Sequence, residues 1–348
     1  MKKLLKGNVA LCEGAIAAGL ESYFGYPITP QNEIPAYLSR KMIEIGRVFV
    51  QAESEIAAVN MALGAAVTGA RAMTSSSSPG ISLKQETISY MAGMQVPVLI
   101  VNIQRGGPGL GNISSSQSDY FQAVKGGGHG DYRIIVLAPN SAQEMYETAY
   151  DAFDLAEKYR TPVMILSDGI IGQMMEPVEF NRVEKKESKL KEKNWVLNGC
   201  ENREPRSIKS LFMEEGALER NNIELQEKYK FISENEIKYE LYMAEDADII
   251  ITAYGISSRI SKSAVKLARK NGIKAGLLRP KVLWPFPSKI INSLAKYSVR
   301  FLSVELSCGQ MIEDVKLALN GKSKVEFLGK AGGELVTEEE ILNKLKTI

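Results

Sequence analysis

Two hydrophobic periods alternate along the first half of the chain. Short runs rich in β-branched residues predict buried strands at 47–51, 71–74, 97–103, 133–138 and 162–167. The stretches between them have helical spacing and predict helices at 54–68, 81–94 and 141–159. Ser141 followed by Glu144 predicts a capping box at the start of the last helix. Alternating strands and helices indicate an α/β fold with a doubly wound parallel sheet.

Clusters of Gly, Pro and Ser follow the predicted strands, at 25–30, 75–80, 106–111 and 126–130. Ligands of a doubly wound sheet bind beyond the carboxyl ends of its strands. We therefore expect the loops 25–30, 75–80 and 105–117 to form the functional edge of the sheet.

The pattern changes near residue 181. Residues 182–193 are dense in charge and residues 200–245 are weakly periodic, which predicts a solvated linker with some helix. A second α/β pattern then predicts strands at 248–253, 273–278, 300–304 and 324–327, with helices at 258–271 and near 310–319. The predicted organisation is a domain at 1–180, a charged linker or insert at 181–245 and a smaller α/β domain at 246–348.

Composition narrows the classes of partner. The chain is 45% hydrophobic and 24% charged, with a formal net charge of +2 and both signs intermixed. These values are typical of a soluble globular protein and do not indicate nucleic acid or a membrane surface as a partner. No apolar run approaches the roughly 20 residues that span a bilayer, and the first residues do not resemble a signal peptide. We expect a cytoplasmic protein.

Cysteine and histidine are too few for a metal site in this chain alone. Cys12, Cys200 and Cys308 lie far apart, and His129 is the one histidine. An iron–sulfur cluster usually needs four thiolates, and structural zinc needs a comparable ligand set. We therefore predict no metal ligands here. His129 lies between glycines without a visible partner, so it is not counted among the catalytic residues.

One carboxylate stands out at the start of the helix predicted at 54–68. Glu55 follows a strand and opens an Ala-rich segment, with Gly64 nine residues later. Acidic residues favour the first turn of any helix because of the helix dipole, so the periodicity alone indicates only a helix start. Glu53 is the alternative carboxylate, but it lacks the same spacing to Gly64.

Several longer segments occur in a recognisable order: GYPITP at 25–30, TSSSSPG at 74–80, QRGGP at 104–108 and GHGD at 128–131. RP at 279–280 and PFP at 285–287 follow in the second domain. With Glu55 and Gly64, they resemble the alpha-type, pyrimidine-domain subunit of 2-oxoacid:ferredoxin oxidoreductases. The resemblance covers nearly the whole chain apart from 181–245. It implies a thiamine diphosphate pyrimidine-binding domain followed by a transketolase C-terminal-like domain.

The resemblance gives Glu55 a catalytic role. In thiamine diphosphate enzymes a carboxyl group hydrogen-bonded to the pyrimidine ring activates the cofactor. That group works best when it is protonated or shares its proton, and an apolar setting favours this form. The resemblance also implies that the cofactor is bound by Glu55 together with Tyr26, Pro27, Ile28, Ser78 and Gly80.

Thr29 and Arg105 are implied to bind the substrate. Without the resemblance, Thr29 would only stiffen a Pro-flanked turn and Arg105 would face solvent. An arginine holds a 2-oxoacid carboxylate in bidentate fashion, and a threonine hydroxyl donates to a carboxylate or keto oxygen. The glycines at 106–111 lack the order of known phosphate-binding loops, so we interpret them as providing backbone room near a cofactor.

Asp168 and Gly169 resemble part of the magnesium-binding motif of thiamine enzymes, with Asn194 at a suitable distance. The first Gly of that motif is missing and a charged run separates the two parts. We interpret Asp168 as a strand-end turn. The resemblance of the whole chain therefore implies that Mg²⁺ and the diphosphate are held by a beta-type subunit, beside a gamma-type subunit and a ferredoxin-like subunit with iron–sulfur clusters.

The implied reaction is oxidative decarboxylation of a 2-oxoacid to an acyl-CoA with reduction of ferredoxin. The serine run at 75–78 and the loop at 105–111 are closest to the 3-methyl-2-oxobutanoate (ketoisovalerate) type. A 2-oxoglutarate enzyme is the alternative. Two other classes stay open: a self-sufficient thiamine-dependent lyase, for which no diphosphate motif is found, and a non-catalytic scaffold.

Overall fold

The computed structural model describes residues 2–185, 193–295 and 299–348. The first elements in chain order are β1 (Lys2–Lys6), α1 (Gly7–Ala17), β2 (Ser22–Gly25), α2 (Glu33–Glu44), β3 (Val48–Gln51), α3 (Glu55–Val67), β4 (Ala72–Ser76), α4 (Ser78–Gly93), β5 (Leu99–Gln104), a π-helical turn (Gln122–Gly126), β6 (Ile135–Leu137), α5 (Ala142–Tyr159), β7 (Val163–Asp168), α6 (Gly169–Gln173) and β8 (Met175–Glu179). The others are α7 (Ala217–Asn235), β9 (Tyr239–Tyr242), β10 (Ile249–Thr252), α8 (Gly255–Lys270), β11 (Ala275–Pro280), β12 (Val282–Trp284), α9 (Ser288–Leu294), β13 (Arg300–Glu305), α10 (Met311–Leu319), β14 (Val325–Gly329) and α11 (Glu338–Leu345).

The predicted doubly wound sheet is confirmed. Its strand order is β12-β6-β7-β5-β4-β2-β3, and every pair is parallel except the pair formed by β12 with β6. Right-handed crossovers place α2 and α5 on one face and α3 and α4 on the other. α1 packs against α2 and α5, whereas α3 packs against α4. β1 and β8 form a separate antiparallel pair.

The predicted strands and helices of this domain are present, with two corrections. α4 begins at Ser78, inside the predicted loop 75–80, because Pro79 is well tolerated in the first turn of a helix. The capping box predicted at Ser141 is only half formed. Ser141 Oγ accepts from the backbone N–H of Glu144, but the Glu144 carboxylate accepts from the N–H of Asn140 and turns towards Arg279.

The second sheet has the order β14-β13-β10-β11-β9, with β9 antiparallel at one edge. The sheets divide the chain differently from the predicted boundaries. β9 lies within the segment predicted as linker, 181–245, and β12 lies beyond residue 246 but pairs with β6 of the first sheet. Strand pairing depends on distant partners, so these two short strands give little local signal.

The two sheets are joined through a buried polar contact. Asp168 ends β7 and caps α6 by accepting from the N–H of Ile171 at 3.2 Å. Its second oxygen accepts from the N–H of Ile256, at the start of α8, at 2.8 Å. Gln117 donates to the same oxygen at 3.4 Å and to the carbonyl of Tyr254 at 2.9 Å. Asp168 is therefore a strand-end turn, as predicted, and also a link between the domains.

Within residues 2–185, 193–295 and 299–348, no helix is both long and apolar enough to cross a bilayer. The same residues contain no group of three or more His, Cys, Asp or Glu placed to hold a metal ion. Cys12 is buried, and Cys200 and Cys308 are exposed as free thiols.

Candidate functional site

Glu55 lies at the carboxyl edge of the first sheet. It is the first residue of α3, and Ser54 caps that helix by accepting from the N–H of Ala57 at 3.2 Å. Glu55 is only 7% exposed, whereas Glu53 is exposed. The structure thus separates the two carboxylates by burial. Gly64 does not contribute, because an added Cβ there would meet nothing within 4 Å.

The Glu55 side chain lies across the first turn of α4. A Cβ built on Gly80 would stand 2.1 Å from Ser76 Oγ and 2.7 Å from Glu55 Oε1, so only glycine leaves room for the carboxyl group. The hydroxyls of Ser76 and Ser77 are buried without a hydrogen-bond partner. No described residue donates a hydrogen bond to the Glu55 carboxyl group, although buried carboxyl groups are normally paired.

A buried lysine stands behind this carboxyl group. Lys84 has no exposed surface, and its Nζ donates to Thr74 Oγ1 at 2.5 Å and to the carbonyl of Ser75 at 3.3 Å. Burial lowers the pKa of Lys84 to about 7, and the charge of Glu55 acts in the opposite direction. The site thus contains a carboxyl group, Glu55, and an amino group, Lys84, that are both buried.

The loop 25–30 is held at the same edge by Gln31. Gln31 accepts from Ser75 Oγ at 2.6 Å and donates to the carbonyl of Tyr26 at 3.2 Å. Tyr23 shares the Ser75 hydroxyl at 2.7 Å. This buried network ties the loop after β2 to β4. Tyr26 and Pro27 are exposed, while Ile28 and Thr29 are half-buried.

Arg105 and Thr29 are in direct contact. The Arg105 guanidinium donates through Nη1 to the carbonyl of Thr29 at 3.1 Å and through Nη2 to the carbonyl of Leu110 at 3.2 Å. Its Nε is buried without a partner. Thr29 Oγ1 accepts from Asn32 at 3.1 Å. The two residues predicted to bind substrate therefore lie together, and the guanidinium retains a free donor.

Ser78, which the resemblance implies to bind the cofactor, forms hydrogen bonds with the backbone of Arg105. Its hydroxyl accepts from the N–H of Arg105 at 3.0 Å and donates to the carbonyl of Arg105 at 3.2 Å. These bonds fasten the start of α4 to the loop after β5. The hydroxyls with free capacity are those of Ser76 and Ser77, in the same serine run.

His129 is not brought to this site. It is exposed, its ring meets Tyr90 edge-on at 6.1 Å, and its carbonyl accepts from Ser89. The cavity that His129 lines is formed by the 129–132 loop, α4 and α7, and none of the predicted site residues lines it.

Lys84 and Gln31 were not predicted from the sequence. Lys84 carried a detectable signal, because it is the one basic residue between Ile81 and Ile88 on an otherwise buried helical face. Gln31 carried none, since its importance comes from a contact with Ser75, 44 residues away.

The sequence profile described as pyruvate flavodoxin/ferredoxin oxidoreductase, thiamine diP-binding, matches residues 13–244. That of pyruvate:ferredoxin oxidoreductase core domain II matches residues 247–341. The chain is 52% identical over 346 residues to ketoisovalerate oxidoreductase subunit VorB of Methanothermobacter marburgensis, covering 99% of this chain and 97% of the relative. It is 37% identical over 366 residues to 2-oxoglutarate synthase subunit KorA of Methanothermobacter thermautotrophicus, covering 98% and 97%.

Two solved structures share the architecture. A 2-oxoglutarate:ferredoxin oxidoreductase from Magnetococcus marinus, with 2-oxoglutarate, coenzyme A and succinyl-CoA bound, superposes with a TM-score of 0.88 at 27% identity. The match covers 99% of this chain and 65% of that one, so this chain spans about two thirds of its length. A split-gene transketolase superposes with a TM-score of 0.61 at 13% identity, covering 99% and 97%, and shares the fold alone.

Proposed function

Because this chain belongs to the pyruvate flavodoxin/ferredoxin oxidoreductase family, we propose that it is the alpha-type subunit of a 3-methyl-2-oxobutanoate (ketoisovalerate):ferredoxin oxidoreductase. In the proposed reaction the bond between the carboxylate and the keto carbon breaks and carbon dioxide leaves. The remaining acyl group joins the sulfur of coenzyme A, the thiol proton is released, and two electrons pass to ferredoxin. The 52% identity to a ketoisovalerate relative, against 37% to a 2-oxoglutarate relative, supports this substrate.

The observation that carries the proposal is the buried Glu55 carboxyl group without a hydrogen-bond partner among the described residues. Leaving such a group unpaired costs about 1–3 kcal/mol or more. Gly80 has no side chain, which leaves room for the Glu55 carboxyl group. A Cβ at residue 80 would collide with that group. A ligand that hydrogen-bonds the carboxyl group would remove this cost.

The residues present fit the pyrimidine end of thiamine diphosphate. Glu55 would hydrogen-bond a ring nitrogen, and the free hydroxyls of Ser76 and Ser77 would pair with polar atoms of the ring. When bound, the cofactor would supply the carbon nucleophile and the electron sink for decarboxylation, while ferredoxin is the electron acceptor. The role of Glu55 is to hold a proton against the ring nitrogen. Tyr26, Pro27 and Ile28 would cover the cofactor from the loop after β2.

Arg105 would receive the carboxylate of the 2-oxoacid. Its guanidinium is fixed by the carbonyls of Thr29 and Leu110, and its Nε is unpartnered. A fixed fork loses little freedom on binding a planar carboxylate. Thr29 would donate its hydroxyl proton to the same group, since its Oγ1 only accepts from Asn32.

The missing parts of the machinery define the partners. We propose a beta-type subunit that holds Mg²⁺ and the diphosphate, a gamma-type subunit, and a ferredoxin-like subunit with the iron–sulfur clusters. The catalytic site would then lie at an interface with the beta-type subunit, and the isolated chain would be inactive. We place the complex in the cytoplasm.

The test compares two neighbouring carboxylates in the assembled complex. The tagged chain is purified with its partners, and coenzyme-A-dependent reduction of a viologen dye is followed with 3-methyl-2-oxobutanoate. Glu55→Gln should lower turnover at least about 100-fold, because it removes the proton held at the cofactor. Glu53→Gln is the matched control and should keep near-normal turnover, since Glu53 is exposed. Size-exclusion chromatography should show intact assembly for both.

Two outcomes would contradict the proposal. Near-normal activity of Glu55→Gln would remove the assigned role of this carboxylate. Turnover by the isolated chain would show a self-sufficient enzyme. Parallel assays with 2-oxoglutarate and pyruvate test the substrate, and a preference for 2-oxoglutarate would favour the other branch of the family.

A further inference from the structure

Lys84 is an unusual residue to find buried between α4 and the sheet. It lies on α4 one turn after Gly80, so both face the same side of the helix. Gly80 is the residue over which the Glu55 carboxyl group lies. Lys84 is therefore buried directly behind that carboxyl group, at the end of β4.

The ammonium group is only partly satisfied. Of its three donors, two have partners, Thr74 Oγ1 and the carbonyl of Ser75, and neither partner is charged. No carboxylate in the described ranges forms an ion pair with Lys84, which has no exposed surface. Lysine is almost never fully buried without such a pair, so a structural role alone does not account for it.

The titratable and charged groups around Lys84 come from three other elements. Glu55 acts on it from α3, Tyr23 of β2 and Lys84 both contact Ser75, and Arg105 and Asp119 lie beyond the end of β5. Burial raises the pKa of both Tyr23 and Asp119. Among the described residues, Glu55 is the one whose charge acts on Lys84.

We propose that Lys84 is a positioning residue for the cofactor reaction. Its charge controls how firmly Glu55 holds its proton. The inference rests on the function proposed above. Burying either charge alone is costly, and each of the two opposite charges lowers the cost of burying the other. When Glu55 gives up its proton, the Lys84 ammonium stabilises the carboxylate.

The test follows cofactor affinity against pH in the purified complex. Thiamine diphosphate binding is measured by isothermal titration calorimetry between about pH 5.5 and 9 for the wild type and Glu55→Gln. The inflection that Glu55→Gln removes from the profile reports the Glu55 proton. Lys84→Met should move this inflection to higher pH by about one unit, because removal of a nearby cation makes the proton harder to release. The kcat profile should shift in the same direction.

Lys84→Gln separates charge from hydrogen bonding. It keeps a donor for Thr74 without the charge, so it should show the same shift as Lys84→Met, and it carries the test if Lys84→Met does not assemble. A Lys84→Gln complex with the wild-type inflection would overturn the proposal. So would a uniform loss of affinity at every pH, since that is the result of a purely structural role.

Lys228 provides a matched control in another region. Burial lowers its pKa to about 8, and its Nζ donates to Gln95 and to the carbonyl of Arg160. Lys228→Met should leave the inflection unchanged. A shifted inflection in Lys228→Met would overturn the proposal, because it would show that losing any buried lysine charge has this effect. Full turnover by Glu55→Gln would refute the proposed function itself. Loss of turnover in Glu55→Gln with an unshifted inflection in both Lys84 variants would refute only the role of Lys84.

Discussion

The Arg279 guanidinium binds the Glu144 carboxylate through two hydrogen bonds, each 2.7 Å long, between β11 and α5. Arg279 belongs to the second sheet and Glu144 to the first domain, so this pair crosses the junction between them. Only 1% of the Arg279 side chain is exposed. Lys281 adds a contact of 3.3 Å to the same carboxylate. The RP segment thus has a structural function at the domain junction.

Glu144→Gln should therefore destabilise the protein. The change removes the bidentate partner of Arg279, but the Glu240 carboxylate, 3.1 Å from Nε, still offsets the charge, so we expect a loss of about 1–3 kcal/mol. The free energy of unfolding, measured in urea at neutral pH, is the appropriate quantity. Asp246→Asn is the control, because it breaks the exposed pair with Arg269 and should have a much smaller effect. Equal losses in the two variants would contradict the role of the buried pair.

The same junction makes stability depend on pH through Asp168. Burial raises the pKa of Asp168 to about 6, so its contribution to stability is complete below about pH 4 and is lost as the pH rises through about 6. Lowering the pH from about 7 to about 5 should add about 1 kcal/mol to the free energy of unfolding from this group. Asp168→Asn should remove that increment. An unchanged slope in the variant would refute the assignment.

The pKa of Glu144 is shifted in the opposite direction, so Glu144 affects stability in a lower pH range than Asp168 does. Burial tends to raise its pKa, but the hydrogen bonds and charge of Arg279 outweigh burial and hold the pKa at about 2. Its contribution is present above about pH 4.5 and lost as the pH falls through about 2. The two groups are therefore separable between about pH 5 and 7, where Asp168 titrates and Glu144 does not.

Gly80→Ala should impair the site without impairing the fold. Alanine favours a helix over glycine by about 0.5–1 kcal/mol, but the new Cβ would meet Ser76 Oγ and Glu55 Oε1. We expect thiamine diphosphate affinity to fall at least about tenfold, an effect of about 1.4 kcal/mol. Gly64→Ala is the matched control, because its Cβ meets nothing and it should only stabilise α3. Calorimetric binding and thermal unfolding report the two effects.

Arg105→Lys should weaken substrate use more than cofactor binding. Lysine keeps the charge but loses the fork held by the carbonyls of Thr29 and Leu110. The KM for the 2-oxoacid should rise at least about tenfold, the effect of losing one charge-assisted hydrogen bond. Thiamine diphosphate affinity, measured by calorimetry on the complex, should change little. Equal losses in both quantities would contradict the assignment to substrate.

Much of the fold was predictable because its signals are local. Hydrophobic period distinguishes strand from helix within a few residues, and β5 and α5 follow it closely. β9 and β12 were missed because both are short and pair with strands far along the chain. The capping box at Ser141 failed for a related reason. A local pattern placed Glu144 correctly, but a distant arginine competed for its carboxylate.

The candidate site divides in the same way. Glu55, Thr29 and Arg105 were identified from segments that resemble a family. The chemistry proposed for each follows from its residue type. Burial and pairing decided the rest. Glu53 and Glu55 are alike in sequence, and only the packing of α3 against α4 buries one of them.

Local patterns along the chain were enough to establish the α/β class, the order of most elements, the family resemblance and the three residues proposed for catalysis and substrate binding. The tertiary structure alone decided that Ser78 is engaged by Arg105, that Ser76 and Ser77 are free, and that Lys84 lies behind Glu55. The physical reason is that secondary structure follows local side-chain periodicity. The protonation and availability of a group depend instead on burial and on partners that only folding brings together.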